Sequence, residues 1–246
     1  MMKTSDKILL TLFIGILLII TGSILIMNKK IKFFEISGNS VSVEQQRTLP
    51  VFNQIDVKGN IKVNYYQDTF QRVIVKTDSN LFNLVITDVS DGKLFLHIKK
   101  WIASKQPIEV DVTTDSINDV MLMAGSSFNI MHEIKVHQFD GKAEGGAKFD
   151  IEGNFVDLDL GLSAGSIGNF SGHCKNMIIN CKAGSVFNAD DLIAEKGNIS
   201  SSAGSIININ VTGELSVHAS SGSIVKCKGN PQMKSVDISS GAQFIK

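Results

Sequence analysis

The chain has 246 residues, and its 24 basic and 24 acidic side chains give a formal net charge of zero. Because nucleic-acid-binding proteins take most of their affinity from a basic surface, this balance argues against a nucleic-acid partner. Hydrophobic residues make up 43% of the chain, enough for a packed core, and 21 glycines against 3 prolines favour tight, regular turns over a disordered linker.

The N-terminal segment is the first predicted element. Residues 1–7 form a short basic tail, and residues 8–27 are a run of 20 residues without charge. At about 1.5 Å per residue the run spans about 30 Å, the thickness of the hydrocarbon core of a membrane. The sequence therefore predicts one transmembrane helix. A cleaved signal peptide is the alternative, but the run is long for one and no A-x-A-like site follows it cleanly, which favours an uncleaved signal anchor.

The orientation of this segment depends on the charges that flank it. Two lysines precede the run and three follow it: Lys3, Lys7, Lys29, Lys30 and Lys32. These numbers are nearly balanced under the positive-inside rule. Since a short basic leader before an apolar run is typical of exported proteins, we expect a single-pass protein of the cell membrane. Its C-terminal domain is expected outside the cytoplasm, in the periplasm or at the cell surface.

The remainder of the chain is rich in predicted strands. Residues 28–50 show little periodicity and are interpreted as a polar tether. Residues 51–246 consist mainly of short alternating stretches, such as LFLHI at residues 94–98. Because alternation with period two is typical of half-buried strands, this region is predicted to be one all-β domain.

An internal repeat decides the architecture of that domain. A tripeptide of a small residue, glycine and a second small residue occurs seven times, with glycine spacings of 21, 19, 19, 20, 18 and 19 residues. Its central glycines are Gly125, Gly146, Gly165, Gly184, Gly204, Gly222 and Gly241. One unit of about 19 residues cannot close a core alone, but stacked units can. The repeat therefore predicts a single-stranded parallel β-helix, or β-solenoid, with right-handed coils of about 19 residues.

Each tripeptide is interpreted as a tight corner between two strands. We expect glycine at its centre because a Cβ would not fit there, and small neighbours because the corner leaves no room for bulk. Positions five and three residues before the glycine and three after it are mostly apolar and should face the core, as with Ile179, Cys181 and Phe187 around Gly184. Residues 51–118 lack the tripeptide and are expected to begin the same sheet and cap its N-terminal end.

A column of polar residues lies four positions after successive glycines. It reads Asn129, Asp150, Asn169, Asn188 and Asn208, followed by Lys226. Stacked asparagines can hydrogen-bond to one another along the column, so a structural ladder is the simpler interpretation. A polar strip that binds a glycan or ions is the functional alternative.

A second column carries carboxylates. Asp119, Asp140 and Asp159 lie six residues before the first three glycines and should be about 4.8 Å apart. They are either solvated, screened carboxylates or a weak candidate site for a hard cation such as Ca²⁺. Paired carboxylates could also perform glycosidase chemistry, although no histidine or arginine occupies a neighbouring outward column of these coils.

The other reactive side chains are interpreted as structural. The five histidines share no column and no metal-ligand spacing, and the serines after the glycines have no base beside them. Cys174, which offset counting places in a column with Phe155 and Ile193, falls at an apolar position like Cys181 and Cys227. We therefore expect all three cysteines in the core, no catalytic residues and no cofactor.

Several local motifs resemble a known family. The segments FNQIDVKGNIKV at 52–63, DSNL at 78–81 and VSDGKL at 89–94, with the repeated Ala/Ser-Gly-Ser units, are similar to the auto-transporter adhesins with a head GIN domain. The resemblance covers about residues 51–246. It implies an exported bacterial β-helical protein without known catalytic residues.

Three functions remain open on the sequence. The first is a non-enzymatic, adhesin-like or scaffold protein of the bacterial envelope that presents a flat face to an envelope protein or a glycan. The second is a carbohydrate-active β-helix enzyme that uses the Asp119, Asp140 and Asp159 column. The third is a scaffold or sensor that docks another membrane protein through the anchor or the tether at 28–50.

Overall fold

The computed structural model describes residues 12–24, 36–100, 102–103 and 108–246. Residues 12–24 are helical, and residues 8–11 and 25–27 of the predicted membrane span lie outside the described residues. In the part of the chain that is described, no helix is long and apolar enough to cross a membrane.

From residue 36 onward the described chain is almost entirely β-structure, as the alternation predicts. A single 3₁₀ turn occurs at Phe82–Leu84. The strands are β1 (Ile36–Ser37), β2 (Ser42–Arg47), β3 (Gln54–Lys58), β4 (Ile61–Gln67), β5 (Arg72–Asp78), β6 (Val85–Ser90), β7 (Lys93–Ile98), β8 (Ile102–Ala103), β9 (Ile108–Thr114), β10 (Asp119–Met123), β11 (Ser127–Ile130), β12 (Ile134–Glu144), β13 (Lys148–Ser163), β14 (Ile167–Cys181), β15 (Val186–Ser201), β16 (Ile206–Ala219), β17 (Ile224–Lys228), β18 (Gln232–Ile238) and β19 (Gln243–Ile245).

The strands from β10 onward stack as a parallel solenoid. β12, β13, β14, β15 and β16 pair in that order, each in parallel with the next. The repeat predicts the register correctly over most of this stack, since Leu160 lies opposite Ile179 and Ile179 opposite Ile199. All three side chains are fully buried, so this column forms part of the core. The all-β solenoid architecture is therefore confirmed.

Each small-Gly-small corner is a two-residue turn of type I′. In the turn at Lys182–Ser185, Ala183 has φ 54° and Gly184 has φ 69°, and the Ser185 N–H donates to the Lys182 carbonyl at 3.4 Å. The Gly184 N–H donates to the Ala203 carbonyl in the turn of the next coil at 3.0 Å, so the turns are also hydrogen-bonded to each other.

The steric reason expected for these glycines is wrong. A Cβ built on any of the seven central glycines would meet no atom within 4 Å. Glycine is favoured instead because the backbone there is left-handed, with φ between 69° and 77°. Real backbone crowding occurs at Gly172, where a Cβ would collide with the Gly153 carbonyl of the adjacent coil.

The core is a continuous column of apolar side chains along the solenoid axis. Its centre is a series of aromatic rings: Phe149 contacts Phe170 with 6.1 Å between ring centroids, and Phe170 contacts Phe187 at 5.5 Å. Gly168 faces the core beside them, and a Cβ there would lie 3.1 Å from the Phe187 ring. Burial of one such ring contributes about 1.5–3 kcal/mol relative to exposure, so the aromatic column contributes strongly to cohesion between coils.

The N-terminal end is capped as expected, but the coils do not follow chain order. β3 pairs in parallel with β10 on one side and with β7 on the other, so the coil of residues 54–67 lies inside that of residues 93–114. The outer coil is covered by the antiparallel strands β5 and β6, and β2 pairs with β5. Because β2 is part of this sheet, ordered structure extends into residues 42–47 of the segment interpreted as a tether.

Candidate functional site

The amide column is the most regular polar feature of the solenoid surface. The turn fixes the position four residues after each glycine on the outer face, and the parallel register places these residues beside one another. Asn208 Nδ2 donates to Asn188 Oδ1 at 3.0 Å, and Asn188 Nδ2 donates to Asn169 Oδ1 at 3.0 Å. Asn169 Nδ2 in turn donates to Asp150 Oδ1 at 2.5 Å. The predicted ladder is therefore formed over these four residues.

The ladder is interrupted before its predicted first member. Asn129 lies next to Asp150 in the register, yet its Nδ2 donates to the Val63 carbonyl at 3.4 Å. The second oxygen of Asp150 instead forms an ion pair with Lys148 at 2.6 Å. A separate amide–carboxylate pair occurs further along the same column, where Asn64 Nδ2 donates to Asp111 Oδ1 at 2.9 Å. Pattern counting missed this pair because residues 51–118 lack the glycine tripeptide.

A shallow groove of about 390 Å³ runs beside the ladder. Asp150, Asn169 and Asn188 line one side of it. Further acidic and hydroxyl side chains from the same coils line the rest: Glu152, Ser171, Asp190 and Asp191. The groove thus combines amides, a hydroxyl and carboxylates, which can both donate and accept hydrogen bonds.

The second wall of the groove was not predicted from the sequence. Asp190 and Asp191 lie at a bulge in β15, where the register with β14 shifts between Asn169 and Ser171. A bulge turns an additional side chain toward a surface and often borders a binding site. The doubled aspartate within a strand was the available signal for it.

The buried serines after the glycines are structural. Ser166, Ser185, Ser205 and Ser223 are fully buried, and each hydroxyl donates to a backbone carbonyl of the preceding coil. Ser205 Oγ, for example, donates to the Cys181 carbonyl at 3.0 Å and accepts from the Ser202 N–H at 3.1 Å. These hydroxyls therefore satisfy backbone groups at the corners and are not accessible to a substrate.

The aspartate column is aligned as predicted. Asp119 lies beside Asp140, and Asp140 beside Asp159. Asp119 forms an ion pair with Lys93 at 3.4 Å, and Asp140 accepts a hydrogen bond from Gln138 Nε2 at 2.9 Å. Partial burial raises the pKa of Asp159, and the neighbouring Asp140 charge raises it further. Among the described residues, no group of three or more His, Cys, Asp or Glu side chains could hold a metal ion.

The cysteines are buried, as the apolar offsets predict. Burial raises the pKa of both Cys174 and Cys181 to about 12, so these thiols stay protonated at neutral pH. The expected column of Cys174 is wrong in one detail: its neighbour in β15 is Ala194, not Ile193, because of the bulge near Asp190. An inert, protonated thiol is a packing group and not a nucleophile.

The chain matches a family model and several solved structures. The family model described as "Putative auto-transporter adhesin, head GIN domain" matches residues 51–231. A comparison with curated proteins finds no match.

Three solved structures illustrate the similarity of fold. A "Putative lipid binding protein" from Parabacteroides distasonis ATCC 8503 is 18% identical with a TM-score of 0.71, over 86% of this chain and 99% of its own. A "putative adhesin" from the same organism is 16% identical with a TM-score of 0.70, over 86% and 100%. A "putative adhesin" from Bacteroides fragilis NCTC 9343 is 20% identical with a TM-score of 0.66, over 85% and 98%. At these identities the likeness shows a shared fold.

Proposed function

We propose, since the chain belongs to the head GIN domain family of auto-transporter adhesins, that it is a non-enzymatic binding protein of the bacterial envelope. In this proposal the solenoid is held at the cell membrane by residues 8–27, lies outside the cytoplasm, and binds a glycan along the groove beside the amide ladder. A scaffold that contacts an envelope protein through the same groove is the variant of this function in which the partner is not a glycan.

The single observation that supports a binding role is the preorganisation of the ladder. Each amide between Asn208 and Asp150 is held by its neighbours along the column. Every amide has two N–H donors and two lone pairs on its oxygen, so the ladder bonds leave capacity for further hydrogen bonds toward the groove. A ligand that meets fixed side chains loses less conformational entropy on binding. Sugar hydroxyls, which both donate and accept, match the mixture of amides and carboxylates that lines the groove.

Glycan binding is tested by titrating purified full-length protein in mild detergent against a panel of bacterial polysaccharides. We expect Asn169→Ala with Asn188→Ala to abolish binding. The matched control, Asn180→Ala with Asn198→Ala, alters exposed asparagines of other columns and should bind normally. A second variant, Glu152→Gln, changes the groove without removing a ladder bond. Unchanged binding in both groove variants would refute the site.

The location is tested by protease accessibility of the C-terminal domain in whole cells and in spheroplasts. We expect the domain to be protected from external protease in one or both preparations according to its compartment, and the membrane fraction to contain the intact chain. Support for the anchor comes from the 20 uncharged residues at 8–27 and from the exposed apolar side chains of the helix at 12–24. Recovery of the intact chain in the soluble fraction would refute anchoring.

A carbohydrate-active enzyme is the second candidate, and the pKa of Asp159 is the observation that favours it. A carboxyl group whose pKa is raised beside an ionised neighbour is the usual general acid of glycoside hydrolysis. Asp140→Asn and Asp159→Asn should each abolish hydrolysis if the candidate is correct. Polysaccharide cleavage with saturable kinetics in the wild type would overturn the non-enzymatic function.

Lipid is a further class of partner to include in the binding panel. One protein of the same fold is described as a "Putative lipid binding protein".

A further inference from the structure

The cap end of the solenoid contains a cavity that the glycan groove does not use. Its volume is about 530 Å³, and it opens between the coil of β3 and the segment that follows β7. Ile98 and Ile102 form an apolar part of its lining. Both side chains are partly buried and pack against the hydrophobic core, so this apolar surface is fixed in place.

The rim of the cavity is basic. Lys58, Lys99 and Lys100 line it, and His97 lies next to Lys58 in the register. All three lysines are exposed, and within the described residues none of them forms an ion pair. Of the described residues that line the cavity, none is acidic. The nearest carboxylate identified electrostatically is Asp56, whose charge is already balanced in part by Lys93.

The position of the cavity is the second, independent observation. Ile102 belongs to β8, and β8 pairs in parallel with β1, where Ile102 lies opposite Ile36. Ile36 is only nine residues after Met27, the end of the uncharged N-terminal run. Nine residues span at most about 30 Å even when fully extended. The cavity therefore lies at the end of the solenoid from which the chain leads to the proposed membrane anchor.

We propose that this cavity seats the headgroup region of an anionic phospholipid, so that the cap end of the solenoid docks on the leaflet of the membrane that anchors it. This inference rests on the proposed anchoring but concerns a different surface from the glycan groove. The lysines match the phosphate group of the lipid, and the two isoleucines match its apolar portion. A free inorganic anion would use only the lysines, and a neutral lipid only the isoleucines.

Docking of this kind orients the whole molecule. Each basic side chain near an anionic leaflet contributes about a fivefold change in the binding equilibrium, so three lysines contribute about a hundredfold at low salt. With the cap end held on the membrane, the solenoid axis points away from the leaflet. The amide groove on its side then stays clear of the bilayer and open to a partner.

The test uses the one tryptophan of the chain, Trp101, which stands in sequence between Lys100 and Ile102. The full-length protein is reconstituted into vesicles of phosphatidylcholine, with or without phosphatidylglycerol brominated on its acyl chains. We expect quenching and a blue shift of the tryptophan emission only with phosphatidylglycerol, and loss of both at high salt. Equal quenching by brominated phosphatidylcholine would overturn the proposal, as would the same response to inorganic phosphate without lipid.

Two charge-matched variants make the result specific. Lys58→Gln with Lys99→Gln and Lys100→Gln should weaken the docking equilibrium about a hundredfold. The control replaces three exposed lysines at the opposite end of the solenoid with glutamine, Lys226, Lys228 and Lys246, and should dock like the wild type. Circular dichroism verifies the fold of both. Undiminished quenching in the cap variant would refute the cavity as the lipid site.

Failure of the anchor is distinguished from failure of the cavity by flotation. Protein that floats with phosphatidylcholine vesicles is anchored independently of lipid charge. If it does not float, the anchor is refuted, but added phosphatidylglycerol vesicles still decide the cavity. Quenching that is lost in the cap variant supports it, and absence of quenching in the wild type overturns it.

Discussion

The glycines of the repeat allow backbone strain to be separated from steric collision. Gly184 has φ 69° and free space around a built Cβ, whereas Gly172 has φ 112° and a Cβ there would meet the Gly153 carbonyl. Alanine at Gly184 incurs about 1–2 kcal/mol of left-handed strain. This is partly offset by about 0.4–1 kcal/mol from the lower entropy of the unfolded chain. We therefore expect Gly184→Ala to lower the free energy of unfolding by about 1 kcal/mol.

The other glycine substitutions should differ in a defined order. Gly172→Ala adds a collision with backbone that only displacement of a strand can relieve, so we expect a loss of about 3 kcal/mol or more. Gly184→Asn should cost less than Gly184→Ala, because asparagine tolerates the left-handed region. Gly161→Ala is the control, since Gly161 has no positive φ and a Cβ there makes only an ordinary contact with Lys142 at 3.7 Å. It should be neutral or slightly stabilising.

These values are measured by chemical denaturation of the full-length protein in non-ionic detergent, followed by far-ultraviolet circular dichroism. The slope of the transition should stay constant, so that midpoint shifts report changes in stability. Equal losses for Gly184→Ala and Gly172→Ala would refute the distinction. So would an asparagine at position 184 that costs as much as alanine, because the left-handed backbone would then not explain the repeat.

Three further outcomes follow from the buried serines, the aspartate column and the cysteines. Ser205→Ala should lower the free energy of unfolding by about 1–3 kcal/mol because it leaves backbone groups unsatisfied, and Ser216→Ala in the same denaturation assay should change it little; equal small effects would contradict the role of the buried hydroxyl. Asp159 has a pKa raised in the folded state, so its ionisation disfavours folding once the pH rises through that pKa. Asp159→Asn should therefore stabilise the protein at pH 7, by about 0.2–1 kcal/mol for a like-charged neighbour. This gain should vanish in thermal melts below the unfolded pKa of 3.8, and a gain independent of pH would contradict it. Because the pKa of Cys174 is about 12, iodoacetamide at pH 8 should alkylate it only after denaturation, as mass spectrometry would detect; labelling of the native protein at the rate of a free thiol would refute this.

Much of the solenoid could be predicted because its turns repeat. A glycine every 19 residues or so fixes where each coil begins, and in a parallel stack that also fixes which residues are neighbours. This is why the columns of Leu160 and Asn169 agree with the observed register. The method fails where a coil contains an extra residue, and the bulge near Asp190 shifted the assigned partner of Cys174 from Ala194 to Ile193.

The cap and the binding surfaces were harder to predict. The coil of residues 54–67 lies between coils that come later in the sequence, and no local pattern encodes that order. The direction of each side-chain hydrogen bond also depends on competition among neighbours. Asn129 occupies the predicted column, yet its amide donates to the Val63 carbonyl. The cavity near Lys58 and Ile102 arises from segments distant in sequence, so it becomes visible only in the folded chain.

The direction of the amide ladder has an electrostatic consequence. Asn208, Asn188 and Asn169 all donate toward the N-terminal end, so their side-chain dipoles are aligned and add together, as peptide dipoles do in a helix. The positive end of this array meets the carboxylate of Asp150, and Lys226 lies next in register at the negative end. Asp150 and Lys226 therefore act as opposite terminal charges for an array of dipoles, and the two departures from asparagine in the column complete its polarity.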